Sequence, residues 1–189
     1  MKEDQAIRKG VTQAAFGFLL IHFHLNIGTV DLLPDFMGYV LLLLAIHNLK
    51  EENRDFALLM PLGTLLTGWN LADWLLNMFG IPMTGKLPVP EAMMTAVNLY
   101  FWFQFCTDLA QLARKIQPEE GSLNRSICRC RNILTVTMTV MALPLEMVFP
   151  EDRLIWILSP VLVIGLAAVL GLTVKLFALR KAVSNLYPG

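Results

Sequence analysis

The sequence predicts an all-α integral membrane bundle of six transmembrane helices with both termini in the cytoplasm, a single domain over residues 1–189. Three observations predict it. The chain is 56% apolar and 16% charged, where a soluble domain is about 45–50% apolar and about 25% charged. Its apolar residues fall in long stretches, and a helix needs roughly 20 such residues to cross the hydrocarbon of a bilayer. The basic residues of the connecting loops collect on alternate sides of those stretches, as they do in proteins threaded repeatedly through a membrane.

The first span is expected over Gly10–Val30, behind the basic start that carries Lys2, Arg8 and Lys9. It contains Gln13, His22, His24 and Asn26 and has no small-x-small cleavage site, so it reads as a retained helix and not as a signal peptide. The second, Pro34–Leu49, is short: 16 residues make a helix of roughly 24 Å, which suits a thinned bilayer or shielding by neighbours. The third is expected over Phe56–Gly80, the fourth over Pro90–Lys115, the fifth over Asn132–Phe149 and the sixth over Arg153–Lys181. Pro61, Pro144 and Pro160 lie inside or near the ends of spans, where proline bends helices. The three outer turns each return through proline and an acid, Pro34-Asp35, Pro90-Glu91 and Pro150-Glu151. That is the usual chemistry of a helix start, where the missing N–H costs nothing and a carboxylate complements the helix dipole.

Orientation follows from the fifteen Lys and Arg residues. With six spans, thirteen fall on one side and only Lys86 and Arg153 on the other, which places both termini inside. The acids of the outer half are Asp31, Asp35, Asp73, Glu91, Glu146, Glu151 and Asp152; seven acids against two bases leave it at −5. The chain as a whole is neutral, with fifteen acids and fifteen bases, so nothing in it attracts nucleic acid. No stretch outside the spans is long enough for a separate catalytic domain.

The strongest candidate site is a polar stripe on the third span. Gly63, Thr67, Asn70, Asp73, Trp74 and Asn77 fall within an arc of about 120° at 100° per residue. A carboxylate inside a membrane costs roughly 2.5–3.5 kcal/mol on insertion scales, so Asp73 is expected to face the interior or a watery cavity. The competing reading makes Asn70, Asp73 and Asn77 hydrogen-bonding glue between helices. His22 and Asn26, four residues apart on the first span, lie at the same depth, as does Asn98 on the fourth. On the fifth, Thr135, Thr139, Ala142 and Glu146 form one stripe. His22, Asn26, Asn70, Asp73, Asn77 and Glu146 are therefore expected to line a polar, acidic pocket open to the outside. Tyr39, Trp69, Trp74, Tyr100 and Trp102 offer stacking surfaces for a cation or, alternatively, interfacial and core packing.

Whether a metal binds there is left open. His22, Asp73 and Glu146 are suitable ligand types, but their spacing matches no ligand motif and no cofactor is indicated. Cys106, Cys128 and Cys130 are an odd number on the inner side, where thiols stay reduced. Arg129 and Arg131 beside the Cys-x-Cys pair could lower its thiol pKa values, but no second pair completes a zinc site, and the favoured reading is inert thiols. Gln104, Asp108 and Gln111 form a further stripe on the inner half of the fourth span. Hydrolase elbows, zinc-protease helices, phosphate loops and dinucleotide fingerprints are all missing, no catalytic residue is assigned, and the reading favours a protein that is not an enzyme.

The segment Leu25 to Tyr39, with Asn26-Ile27 followed by Leu33-Pro34-Asp35-Phe36-Met37-Gly38-Tyr39, resembles the first hairpin of uncharacterised small multi-pass membrane proteins of Firmicutes-type bacteria. The resemblance implies a multi-pass protein of the bacterial cytoplasmic (inner) membrane and brings no activity with it. The size and six-span plan are similar to those of the substrate-binding membrane subunits of energy-coupling-factor vitamin transporters, whose outer loop after the first helix helps to enclose the ligand. The expected function is binding of a small polar or cationic solute, with transport as a further step. The alternative is an accessory or assembly subunit whose stripes bond to a partner membrane subunit or to a second copy, with Ala14 and Ala15 a docking face; an intramembrane enzyme comes third.

Overall fold

The computed structural model describes residues 2–23, 26–27, 30–31, 34–81, 88–118, 121–145 and 149–186. Its elements are α1 (Lys2–His22), β1 (Asn26–Ile27), β2 (Val30–Asp31), α2 (Asp35–Leu49), α3 (Asp55–Leu58), α4 (Met60–Met78), α5 (Pro88–Ile116), α6 (Ser122–Ala142) and α7 (Glu151–Leu186). The chain is all-α apart from the two-residue strands. His24 and Glu146 lie outside the described residues, and for Asn26 the backbone alone is described.

The first expected span ends early. α1 stops at His22, and β1 pairs antiparallel with β2, Asn26 opposite Asp31 and Ile27 opposite Val30. The sequence carries the reason: Ile27 and Val30 are β-branched, which favours extended backbone over helix. The third span also divides. Pro61 sits in the first turn of α4, where its missing N–H removes no helical bond, and α3 is a single turn ahead of it.

Successive long helices run antiparallel. α1 packs most extensively on α2, α2 also on α4, α1 on α7, α7 on α6 and α6 on α5, giving the neighbour order α4, α2, α1, α7, α6, α5. The order closes where α4 meets α5, and that contact is sparse. In contrast, α1 and α2 touch through backbone. A Cβ on Gly17 would stand 2.9 Å from the carbonyl oxygen of Gly38, and one on Gly38 would stand 2.9 Å from that of Gly17 and 2.4 Å from Ile21 Cγ1. Small residues at such a crossing let helices approach without lipid or side chain between them. Ala14 and Ala15, expected on a docking face, are fully buried inside the bundle.

An aromatic layer fills the centre. Phe18, Phe101, Trp102 and Phe105 are buried, and Phe101 stacks on Phe105 at 5.8 Å. Trp102 meets Phe18 edge-on at 5.2 Å and Phe105 at 6.1 Å. One end of the bundle carries the basic residues. There Lys115 pairs with Glu52, Asn53 donates to Gln111 at 3.0 Å, Asn48 donates to Gln13 at 2.7 Å, and Arg180 lies 5.7 Å from the Phe16 ring.

Among the described residues one helix is by itself long and apolar enough to cross a membrane. It spans Asp152–Leu186, with a mean hydropathy of 2.5 over an 18-residue stretch of which 11% is buried. α2 is apolar but only 15 residues long.

Candidate functional site

At the end of the bundle opposite the basic residues, a cleft of about 360 Å³ opens along the α4–α5 seam. Helical spacing supplies its walls. α4 gives Leu66, Trp69, Asn70 and Asp73, and α5 gives Glu91, Met94, Thr95 and Asn98, each set falling at i, i+3, i+4 and i+7. Asp35 and Tyr39, one turn apart, come from the start of α2, and Ile21 from the end of α1. Tyr39 is 3% exposed, and its hydroxyl donates to Asn98 Oδ1 at 2.9 Å, tying α2 to α5 beside the seam.

The lining has three carboxylates, two amides, an indole and a phenol and, among the described residues, no ammonium, guanidinium or imidazole. The α4 stripe bonds within its own helix. Thr67 Oγ1 donates to the Gly63 carbonyl at 2.7 Å, Asn70 Nδ2 to the Leu66 carbonyl at 2.8 Å, and Asn77 Nδ2 to Asp73 Oδ2 at 3.1 Å. None of these three bonds joins α4 to a neighbour, and of these groups Asn70 and Asp73 line the seam. Trp74 packs against Phe36 at 5.5 Å.

Asn70 and Asp73 of the expected site line the cleft, and Asn77 reaches it through Asp73. His22 does not. Its ring stacks on Phe18 at 4.2 Å and meets Trp102 edge-on at 5.2 Å. It borders instead a separate apolar groove of about 540 Å³, with Leu134 and Met138 of α6 and Leu162, Gly165 and Val169 of α7. Asn26 does not continue the face of His22, because α1 ends before it. α6 does not converge on the cleft either: its packing neighbours are α5 and α7, and Thr135 and Thr139 donate to carbonyls of their own helix. Glu146 lies outside the described residues.

Asp35 and Glu91 are the members that helix-start chemistry concealed. Each follows a proline near the start of its helix, which accounts for an acid without any site. Two of the three proline-acid pairs nevertheless deliver their carboxylates to one cleft, a coincidence visible only once α2 and α5 are placed.

Among the described residues no three His, Cys, Asp or Glu side chains gather to hold a metal ion. Cys106, Cys128 and Cys130 are free thiols. Burial pushes the Cys130 thiol up, outweighing Lys175 and Arg129, which agrees with the favoured reading of an inert thiol and not with one activated by the flanking arginines. Cys128 makes a hydrogen bond to Asn124 Oδ1 at 3.4 Å. No protein family, no curated protein and no solved structure matches the chain.

Proposed function

We propose that the chain is a six-helix protein of the bacterial cytoplasmic membrane, both termini inside, that binds a small cationic solute in a cleft open to the outside and takes part in its transport. The observation that carries this reading is the cleft itself: Asp35, Asp73 and Glu91 from three helices on one lining, with Trp69 and Tyr39 beside them. Carboxylates draw a cation, and an indole or phenol face adds cation–π attraction for an organic ammonium group. At about 360 Å³ the cleft matches the small end of ligand sites, which run from about 300 to 1,000 Å³.

The membrane reading is supported by what the bundle exposes. Large apolar side chains are open on every long helix: Phe16 on α1, Leu44 on α2, Leu65 and Met78 on α4, Met93 and Tyr100 on α5, Val136 on α6, and Trp156 and Val163 on α7. Soluble monomers rarely expose contiguous apolar patches beyond a few hundred Å². Polar stripes turned toward a seam also lower the hydropathy of a spanning helix without placing polar groups in lipid. A stripe built for a partner subunit would face outward, whereas the α4 stripe faces a cleft of its own chain, which supports solute binding over assembly.

Two experiments test the reading. With Cys106, Cys128 and Cys130 replaced by serine, an impermeant thiol reagent on intact cells is expected to label a cysteine placed at residue 85 and to spare one placed at 121; equal labelling overturns the topology. In a thermal-shift series with choline, simple amines and divalent metals, a cation at 100 times its dissociation constant stabilises by about 2.7 kcal/mol. Absence of any shift, with a second subunit co-purifying, would favour the assembly reading.

A further inference from the structure

Asp108, on the inner part of α5, is the one charged side chain among the described residues with no exposed surface. It stands ten positions beyond Asn98, about 15 Å along the helix. The cleft does not use it. Gln104 Nε2 donates to its Oδ1 at 2.8 Å, while Oδ2 is buried and accepts no hydrogen bond. An ionised carboxylate so placed holds charge on an oxygen that neither water nor a donor reaches, and a proton on Oδ2 removes that charge.

The cations around Asp108 are engaged with other groups. From α3, Asp55 is a second carboxylate whose field reaches Asp108. From α6, Arg131 spends its guanidinium on the neighbouring face of α5, donating to Thr107 Oγ1 at 2.7 Å and lying 4.3 Å from the Phe103 ring. Lys115, two turns further on, pairs with Glu52. From α7, Lys175 acts on Cys130. On α4 the only ionisable residue is Asp73, at the far end of the helix.

Position completes the argument. Phe101, Trp102 and Phe105, packed on one another, lie between Asn98 of the cleft and Asp108 along α5. On its other side the stripe runs through Gln111, bonded to Asn53, to the basic end of the bundle. We propose that Asp108 is a proton-binding site, filled and emptied from the basic end, that works in exchange with the cation cleft at the opposite end. Cation binding at the cleft favours loss of the Oδ2 proton to water at the basic end, and a proton on Oδ2 favours loss of the cation, since coupling between two sites is reciprocal. The coupling rests on the cation-binding reading; the proton site does not.

The test uses the purified full-length protein and choline, a quaternary ammonium that cannot itself carry a proton. Infrared difference spectra, wild type minus Asp108→Asn, recorded from acid to alkaline solution should contain a protonated-carboxyl carbonyl band that titrates, and the same band should appear for Asp108→Glu minus Asp108→Asn. In weakly buffered solution, choline should release protons from the wild type and none from Asp108→Asn. The variant should still bind choline, by tryptophan fluorescence, within about threefold of the wild-type affinity. A difference spectrum without such a band overturns the proton site, and equal proton release from both proteins overturns the coupling. If choline leaves wild-type fluorescence unchanged, the cleft reading fails and the coupling fails with it, while the infrared band still decides the proton site.

Discussion

The α1–α2 pair and the α4–α5 seam lie in one bundle and solve opposite problems. At the first, Gly17 and Gly38 bring two backbones together until each carbonyl occupies the space of the other's absent Cβ. At the second, contact is sparse and the facing side chains are Asn70, Asp73, Glu91 and Asn98. Close backbone approach needs the smallest residues and leaves no room for chemistry, whereas a gap lets polar side chains keep water or a solute between them. The tight pair anchors the bundle, and the loose seam is where an open cleft costs least in lost packing.

The comparison breaks first at Gly38. In Gly38→Ala the new methyl stands 2.4 Å from a side-chain carbon of Ile21 and 2.9 Å from a backbone oxygen, and the second cannot rotate away. Overpacking of this kind costs about 1–3 kcal/mol. Reaction of the buried Cys106 thiol with a fluorogenic maleimide during heating should report an earlier transition. A transition no earlier than that of the wild type would mean that α1 and α2 are not held at this distance.

Asp73→Asn should do the reverse. Asp73 is half-buried at the cleft, and its one described hydrogen bond comes from Asn77 of the same helix. Removing its charge should weaken choline binding by about tenfold, or about 1.4 kcal/mol, while stability stays within about 0.5 kcal/mol. Unchanged affinity would move the ligand away from the α4–α5 seam, and a large loss of stability would make Asp73 a structural residue.

Much of this contrast was legible before the helices were placed. Apolar run length located α2, α4, α5 and α7, and three- and four-residue spacing put Asn70, Asp73 and Asn77 on one stripe. The fifth span, expected over Asn132–Phe149, is α6 at Ser122–Ala142, because its first turns carry Arg125, Arg129 and Arg131 and apolar content alone does not mark them as helix. The end of α1 was misread because apolar content alone does not separate a helix from a hairpin through Ile27 and Val30. His22 was misplaced for another reason. Depth in a span fixes height but not bearing, and only the neighbour order of the helices sends His22 toward α6 and α7 and Asn70 toward α5. The same ignorance of order excused Asp35 and Glu91 as ordinary helix starts and brought α6 to a site it does not touch.

Tyr39 joins the two regions. It rises from α2, the partner of α1, and its hydroxyl bonds Asn98 on α5. Tyr39→Phe keeps the ring against Phe101 and Trp102 and deletes one hydrogen bond, worth about 1 kcal/mol. A lower melting temperature together with weaker choline binding is expected. A change in neither would show that the cleft wall is held without this bond.

The smallest effect carries the opposite sign. Gly68 lies on α4 among exposed residues, and a Cβ there would meet nothing within 4 Å. Alanine in mid-helix is favoured over glycine because it restricts the unfolded backbone, so Gly68→Ala should stabilise by about 0.4–1 kcal/mol without altering choline affinity. One methyl group thus disrupts α2 and strengthens α4, because the first glycine is occupied space and the second is open surface. The variant also probes the assembly alternative. If Gly68→Ala stabilises the protein in detergent but lowers its accumulation in cells, some other chain packs closely against that face of α4, and the small residue is there for a partner.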